Sequence, residues 1–164
     1  MKQYDYKGRI YSVTNCELND IPSHIERVNH YWDMTNVDIE EQTRLLVKAV
    51  EAGTAYKVIN DKGISKSVIY CNKMKRHEVQ SNLLWLRDKL VFSILCYYLR
   101  LTANIHTIYF KPHTKDFIPF EFVVNDLSIR LFHSHDYPLK IDLYSAKSDK
   151  IYKDYFLRFN IKEL

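Results

Sequence analysis

The chain has 164 residues, of which 46% are hydrophobic and 27% charged, and its net charge is +4. That size fits one domain over residues 1–164 with a core of useful volume, and the composition is that of a globular chain rather than a fibrous or disordered one. The mild positive charge does not by itself call for nucleic acid.

Residues 1–11 are polar and carry no apolar stretch of the kind a secretion signal needs. Cys16, Cys71 and Cys96 are odd in number, widely spaced and form no CxxC pair, which predicts free thiols in a reducing compartment. Two counts stand out: 3 Gly and 13 Tyr. An excess of Tyr fits either a compositional bias or surfaces that touch other proteins.

In chain order, residues 9–14 alternate and predict a first strand. Asp20 is placed to cap a helix with Ile21, Ile25, Val28 and Trp32 on one face. Asp38, with Glu41 three residues on, predicts a second helix start; Ile39, Leu46, Val47 and Val50 form its face and Gly53 closes it. The period then changes to two. Residues 55–59 and 65–70 flank Asn60-Asp61-Lys62-Gly63, which predicts a hairpin with a Gly-containing loop. Lys73, Lys75, Arg76 and His77 make a basic, solvated turn. Residues 79–86 read either as a further strand or as an early helix start capped at Ser81 or Asn82, and the sequence leaves both open.

Residues 87–101 predict a central buried helix. Leu86, Leu90, Ile94, Tyr97, Tyr98 and Leu101 share one face, and Val91, Phe92, Leu95 and Leu99 add a second. Its apolar run, residues 90–99, is about half of the roughly 20 residues that cross a membrane, so no membrane span is expected. Asn104 is a stop signal, and residues 105–110 form a short strand. Pro112 and Pro119 bracket an aromatic segment whose Phe117, Phe120 and Phe122 serve either a contact surface or a groove of their own domain. Asn125, Asp126 and Ser128 can cap a short helix through Ile129, Leu131 and Phe132. Residues 139–144 and 151–161 alternate around a polar turn, predicting a closing antiparallel hairpin with Leu157, Phe159 and Ile161 on one face.

Two local patterns carry a family resemblance. Arg87-Asp88-Lys89-Leu90-Val91-Phe92-Ser93-Ile94-Leu95 lies without a gap over an Arg-Gly-x-Gly-x-Gly-Ser-x-Leu pattern; Arg87, Lys89, Ser93 and Leu95 fit it, while Asp88, Leu90 and Phe92 replace the glycines. Ile129-Arg130-Leu131-Phe132-His133-Ser134-His135-Asp136-Tyr137 has the spacing of Ile-x-Leu-Tyr-x-x-x-Gly-Phe, with Phe132 at the Tyr and Asp136 at the Gly. With the element order, this resembles the GCN5-related N-acetyltransferase (GNAT) family. The resemblance implies an α+β domain with a mixed, mostly antiparallel sheet, flanking helices and a central buried helix. It extends to GNAT-like proteins of tailed bacteriophages, some of them virion components.

In that family the start of the central helix holds the pyrophosphate of acetyl-CoA on main-chain N–H groups, where glycine permits close approach. The matching, degenerate cofactor position here is Arg87, Asp88, Lys89, Leu90, Val91 and Phe92. Leu90 and Phe92 would put apolar bulk at the phosphates, Asp88 adds a like charge, and Arg87 and Lys89 are the available phosphate partners. The position of the family's general acid is Phe132, which has no proton to give. Tyr137 and Tyr144 are near it in sequence, and Glu78 and Glu121 are candidate bases that read more readily as surface carboxylates. His133 and His135, two apart, diverge on a helix, and with His106 and His113 they make no zinc-like set, so no metal is expected.

No catalytic set is expected. The leading expectation is a non-catalytic GNAT-fold protein without a cofactor, located in the cytoplasm or a virion, acting through contacts with other proteins in a virion or a homo-oligomer. The alternative is a divergent acetyl-CoA-dependent N-acetyltransferase. Nucleic acid is not an expected partner, since the basic turn stands without a recognised motif.

Overall fold

The computed structural model describes residues 1–31, 38–86, 89–110, 139–142 and 160–164. Their elements run β1 (Lys2–Tyr6), β2 (Arg9–Asn15), α1 (Asp20–Tyr31), α2 (Ile39–Glu51), β3 (Ala55–Ile59), β4 (Ser65–Lys73), β5 (Glu78–Leu86), α3 (Lys89–Leu101), β6 (Thr107–Phe110), β7 (Leu139–Asp142) and β8 (Ile161–Glu163). The fold is α+β, as the sequence predicts. The strands form one sheet in the order β7-β6-β5-β4-β3-β2-β1-β8. Among the described residues β5 and β6 form its one parallel pair; the other pairings are antiparallel.

Local chemistry explains most boundaries. Asp38 caps α2 by accepting from the Glu41 N–H at 3.1 Å. Gly53 follows the helix at φ +72, the left-handed conformation that ends helices cheaply. Of the predicted α2 face, Leu46 is fully buried and Val47 and Val50 pack partly, whereas Ile39 is exposed and Ala49 takes a core position. In the β3–β4 loop the Asn60 carboxamide oxygen accepts from Lys62 and Ile64, and Gly63 turns the chain at φ +74. Residues 79–86 are strand, which settles the open alternative. Asn104 stops α3 in the left-handed region at φ +55.

Three placements differ from the sequence reading. Strand β1 is additional: Tyr4 and Tyr6 alternate, and Lys7-Gly8, both at positive φ, make a two-residue hairpin turn into β2. Asp20 does not spend its side chain on a cap; its Oδ2 accepts from the Glu17 N–H, and Lys57 donates to both oxygens at 3.0 and 2.9 Å. Ile161, read as the end of the closing hairpin, instead opens β8, which pairs with β1 at the opposite edge of the sheet from β7. Residues 151–159, with Leu157 and Phe159, lie outside the described residues, as do Trp32, the segment with Phe117, Phe120 and Phe122, and the predicted helix ending at Phe132.

The sheet is covered on both faces. Under α1 and α2, Ile21, Val28, Leu46, Ala49, Val68 and Tyr70 form one buried cluster. Under α3, Val13, Val58, Ile69, Ile94, Leu95 and Leu99 belong to a larger one. Consecutive helix positions are about 100° apart, yet Ser93, Ile94, Leu95 and Cys96 are all at 0% exposure. Burial therefore wraps α3, and each large aliphatic side chain there contributes about 1.5–3 kcal/mol relative to exposure. The three cysteines are buried and unbridged. No helix of the described residues is long and apolar enough to cross a membrane.

Candidate functional site

The site is built where β5 hands the chain to α3. The register of β5 with β6 runs from Glu78↔Thr107 to Ser81↔Phe110. Residues 82–86 carry β5 beyond that pairing, and α3 begins three residues after Leu86. The carboxyl end of a parallel pair, with a helix starting beside it, is where α/β architectures place ligands, because the helix directs its positive end there.

The sequence-predicted positions separate at this point. Arg87 and Asp88 lie outside the described residues, as do the side chains of Lys89 and Phe92. Leu90 is described: at 8% exposure it is part of the cluster under α3, on the buried helix face that the sequence predicts for it. Its bulk is used in the core rather than laid over the phosphate position. Val91, at 0%, is equally internal. A Leu90→Gly change would therefore open a cavity, not a phosphate cradle.

Two buried hydroxyls lie on the elements that meet there, one on β5 and one on α3. Ser81 ends the described β5–β6 pairing and is 3% exposed; Ser93 sits one turn into α3 and is fully buried. Neither Oγ has a hydrogen-bond partner among the described residues. A buried hydroxyl without a partner costs about 1–3 kcal/mol. From sequence, Ser81 reads only as a helix cap and Ser93 only as a motif match; pairing and burial show both to be internal.

A polar cleft of about 440 Å³ opens at the same end of the sheet, lined by Arg9, Tyr11, Asp61, Lys62, Ile64 and Lys66, with Asn60. The register fixes the end: Lys66 precedes Ser67, which pairs with Leu86, the last residue of β5. Three cations against one carboxylate give the cleft a net positive character, suited to an anion. Arg9 and Lys62 were not singled out from sequence, because a β-hairpin tip and a strand start converge there only through pairing.

The other predicted groups are elsewhere. Lys73, Lys75, Arg76 and His77 form the β4–β5 turn at the opposite end of the sheet, and Glu78 follows with its carboxylate accepting from the Tyr109 hydroxyl at 3.4 Å. Among the described residues no cluster of His, Cys, Asp and Glu could hold a metal ion. Glu121, Phe132, His133, His135, Tyr137 and Tyr144 lie outside the described residues.

No protein-family model and no curated protein matches the sequence. Solved structures do match. A nucleotide-linked sugar GNAT, FdhC in its apo form, aligns with a TM-score of 0.57 at 12% identity, over 92% of this chain and 93% of its own. A GNAT-family acetyltransferase from Listeria monocytogenes aligns at 0.54 and 8% identity over 99% of both chains. A GCN5-related N-acetyltransferase from Brucella melitensis aligns at 0.56 and 7% identity, over 96% of this chain and 85% of its own. Likeness at such identities speaks to architecture, and on architecture it agrees with the strand order and the buried central helix: the chain has the GNAT fold.

Proposed function

We propose that this protein is a divergent acyl-CoA-dependent N-acyltransferase that takes acetyl-CoA at the start of α3. The observation that carries the reading is the delivery of β5 into α3 beside the parallel β5–β6 pair, with Leu90 drawn into the core rather than over the helix start. The residues present fit such a cofactor. The helix start offers its positive end to a pyrophosphate, and the cations Arg9, Lys62 and Lys66 stand at that end of the sheet. Ser81 and Ser93 offer buried hydroxyls for polar atoms of the pantetheine arm. Acetyl-CoA would supply the activated acyl group, a thioester carbonyl open to attack by an amine. The chain's own share is to bind, to orient and to exclude water. The named structural neighbours are acetyltransferases, one of them acting on a nucleotide-linked sugar.

The rival is a non-catalytic protein that works through protein contacts, in a homo-oligomer or a virion. It rests on Asp88, Leu90 and Phe92 at the family's glycine positions and on Phe132 at the position of its proton donor. Calorimetric titration with acetyl-CoA separates the two. Binding in the micromolar range, lost with Arg9→Gln/Lys66→Gln, is the expected result. No heat up to millimolar acetyl-CoA, together with a stable partner in pull-downs from the native source, overturns the proposal and promotes the rival.

A further inference from the structure

The opposite end of the sheet has a cavity of its own, of about 330 Å³. That is within the roughly 300–1,000 Å³ of small-molecule pockets. Its apolar floor is Tyr56, Val79 and Ile105, all at most 9% exposed, with Ala103 beside them. Its rim carries Lys73, Arg76, His77 and Glu78. Lys73 and Arg76 make no ion pair among the described residues.

The walls are fixed by a compact knot. His77 and Asn104, both non-glycine residues, hold left-handed backbone at φ 56 and 55. The His77 carbonyl accepts from the His106 N–H at 2.8 Å and from the Thr107 N–H at 3.2 Å. His77 Nδ1 lies 3.1 Å from the Asn104 carbonyl, which can only accept, so this nitrogen carries the proton. His106 Nε2 meets the Asn104 side-chain oxygen at 3.1 Å, and the two imidazoles stack at 4.2 Å. The β4–β5 turn and the α3–β6 link are thereby clamped together. Left-handed non-glycine residues that the surroundings over-determine gather at ligand clamps, and here both line the cavity. The last turn of α3 would repel an anion through its carbonyls, but those of Tyr98 and Leu99 are taken by Thr102, Ala103 and Ile105.

We infer that this cavity is a second ligand site, separate from the start of α3, for a small organic anion with a flat apolar body. The head group sits between Lys73 and Arg76, and the body lies on Tyr56, Val79, Ala103 and Ile105. A charged group without apolar floor contacts gains little from two solvated cations, and a neutral body forgoes them. The site therefore selects for both parts at once. Glu78, engaged by Tyr109, keeps the rim from being a bare cationic patch and disfavours highly charged ligands.

The test uses the full chain and four titrants: benzoate, phenyl phosphate, benzamide and inorganic phosphate. Binding is followed by calorimetry and by methyl shifts of Val79, Ala103 and Ile105. Benzoate or phenyl phosphate should bind about 10-fold more tightly than benzamide or phosphate, as expected when about 1.4 kcal/mol separates them. Which of the two wins tells a carboxylate from a phosphate ester. Lys73→Gln/Arg76→Gln should weaken the better ligand by about 10-fold, while Lys75→Gln, on the same turn but outside the lining, should not. Equal binding of benzoate and benzamide, an equal loss with Lys75→Gln, or methyl shifts that avoid the cavity would each overturn the inference. None of these outcomes depends on acetyl-CoA.

Discussion

The two faces of the sheet treat their polar groups differently. Beneath α1 and α2 polar side chains hold elements in place: Lys57 on β3 is bound to Asp20 at the start of α1, and the buried His24 ring packs at a tilt against Tyr70, with centroids 4.8 Å apart. Beneath α3 the cluster is larger and takes in Tyr4, Tyr11 and Tyr56, and Ser81 and Ser93 are buried with no described partner. Folding accounts for the first set, since removing a member loosens a helix. It does not account for the second, where alanine would serve the core as well or better. Buried polar atoms without a described partner also occur on the α1 and α2 side, at Gln42 Oε1 and the Tyr70 hydroxyl, so the two serines stand out by their place beside the β5–α3 junction.

The most severe way to break this comparison is to remove a core side chain from each face. Leu46→Ala and Leu95→Ala, both at wholly buried positions, should each lower stability by about 2–5 kcal/mol in urea titrations. A loss below about 1 kcal/mol at Leu95 would mean that α3 does not anchor its face.

Alkaline pH should act next, and on both faces, since burial raises the thiols of Cys16 under α1 and α2 and of Cys71 under α3. Burial first, and then the Asp20 carboxylate, pushes the Cys16 thiol from 9.0 up to about 12. The folded protein thus keeps a proton that the unfolded chain has lost. This contribution is intact below about pH 9 and falls as pH rises toward 12. Moving from pH 7 to pH 10 should cost about 1 kcal/mol through this thiol. Tyr56, which burial raises to about 12, pulls in the same direction. The urea midpoint of Cys16→Ala should change less over that interval than the parent's; an unchanged slope would remove Cys16 from the account.

The mildest substitutions sharpen the comparison most. Ser81→Ala and Ser93→Ala should shift stability by no more than about 0.5 kcal/mol, or raise it, while weakening acetyl-CoA binding. A cost above about 1 kcal/mol at either position would show a folding role, and the contrast between the faces would vanish.

What the sequence made legible was local. The Asp38 cap, the Gly53 stop, the Asn60–Gly63 loop and the Asn104 stop all depend on a residue and its neighbours within a few positions. The central helix was legible because its apolar residues outnumber those of one face. Pairing was not. Residues 79–86 are strand because β4 lies on one side and β6 on the other, which no property of those eight residues states. The motif alignment located Leu90 along the chain, and the helical period placed it on the buried face where it is found. Asp20 was read as a cap because its partner Lys57 is 37 positions away. Both cavities escaped notice for the same reason, each being made by loops that meet only at an end of the sheet.

The pairing of β1 with β8 sets an order of events during synthesis. Tyr4, Asp5 and Tyr6 align with Glu163, Lys162 and Ile161, across nearly the whole sequence. The hairpin of β1 and β2 leaves the ribosome well before β8, with the outer edge of β1 still bare. Its N–H and C=O groups wait for the last strand, and until then that edge is open to any other extended segment. Ribosome-bound chains that stop short of residue 161 should therefore associate through this edge, and released chains should not.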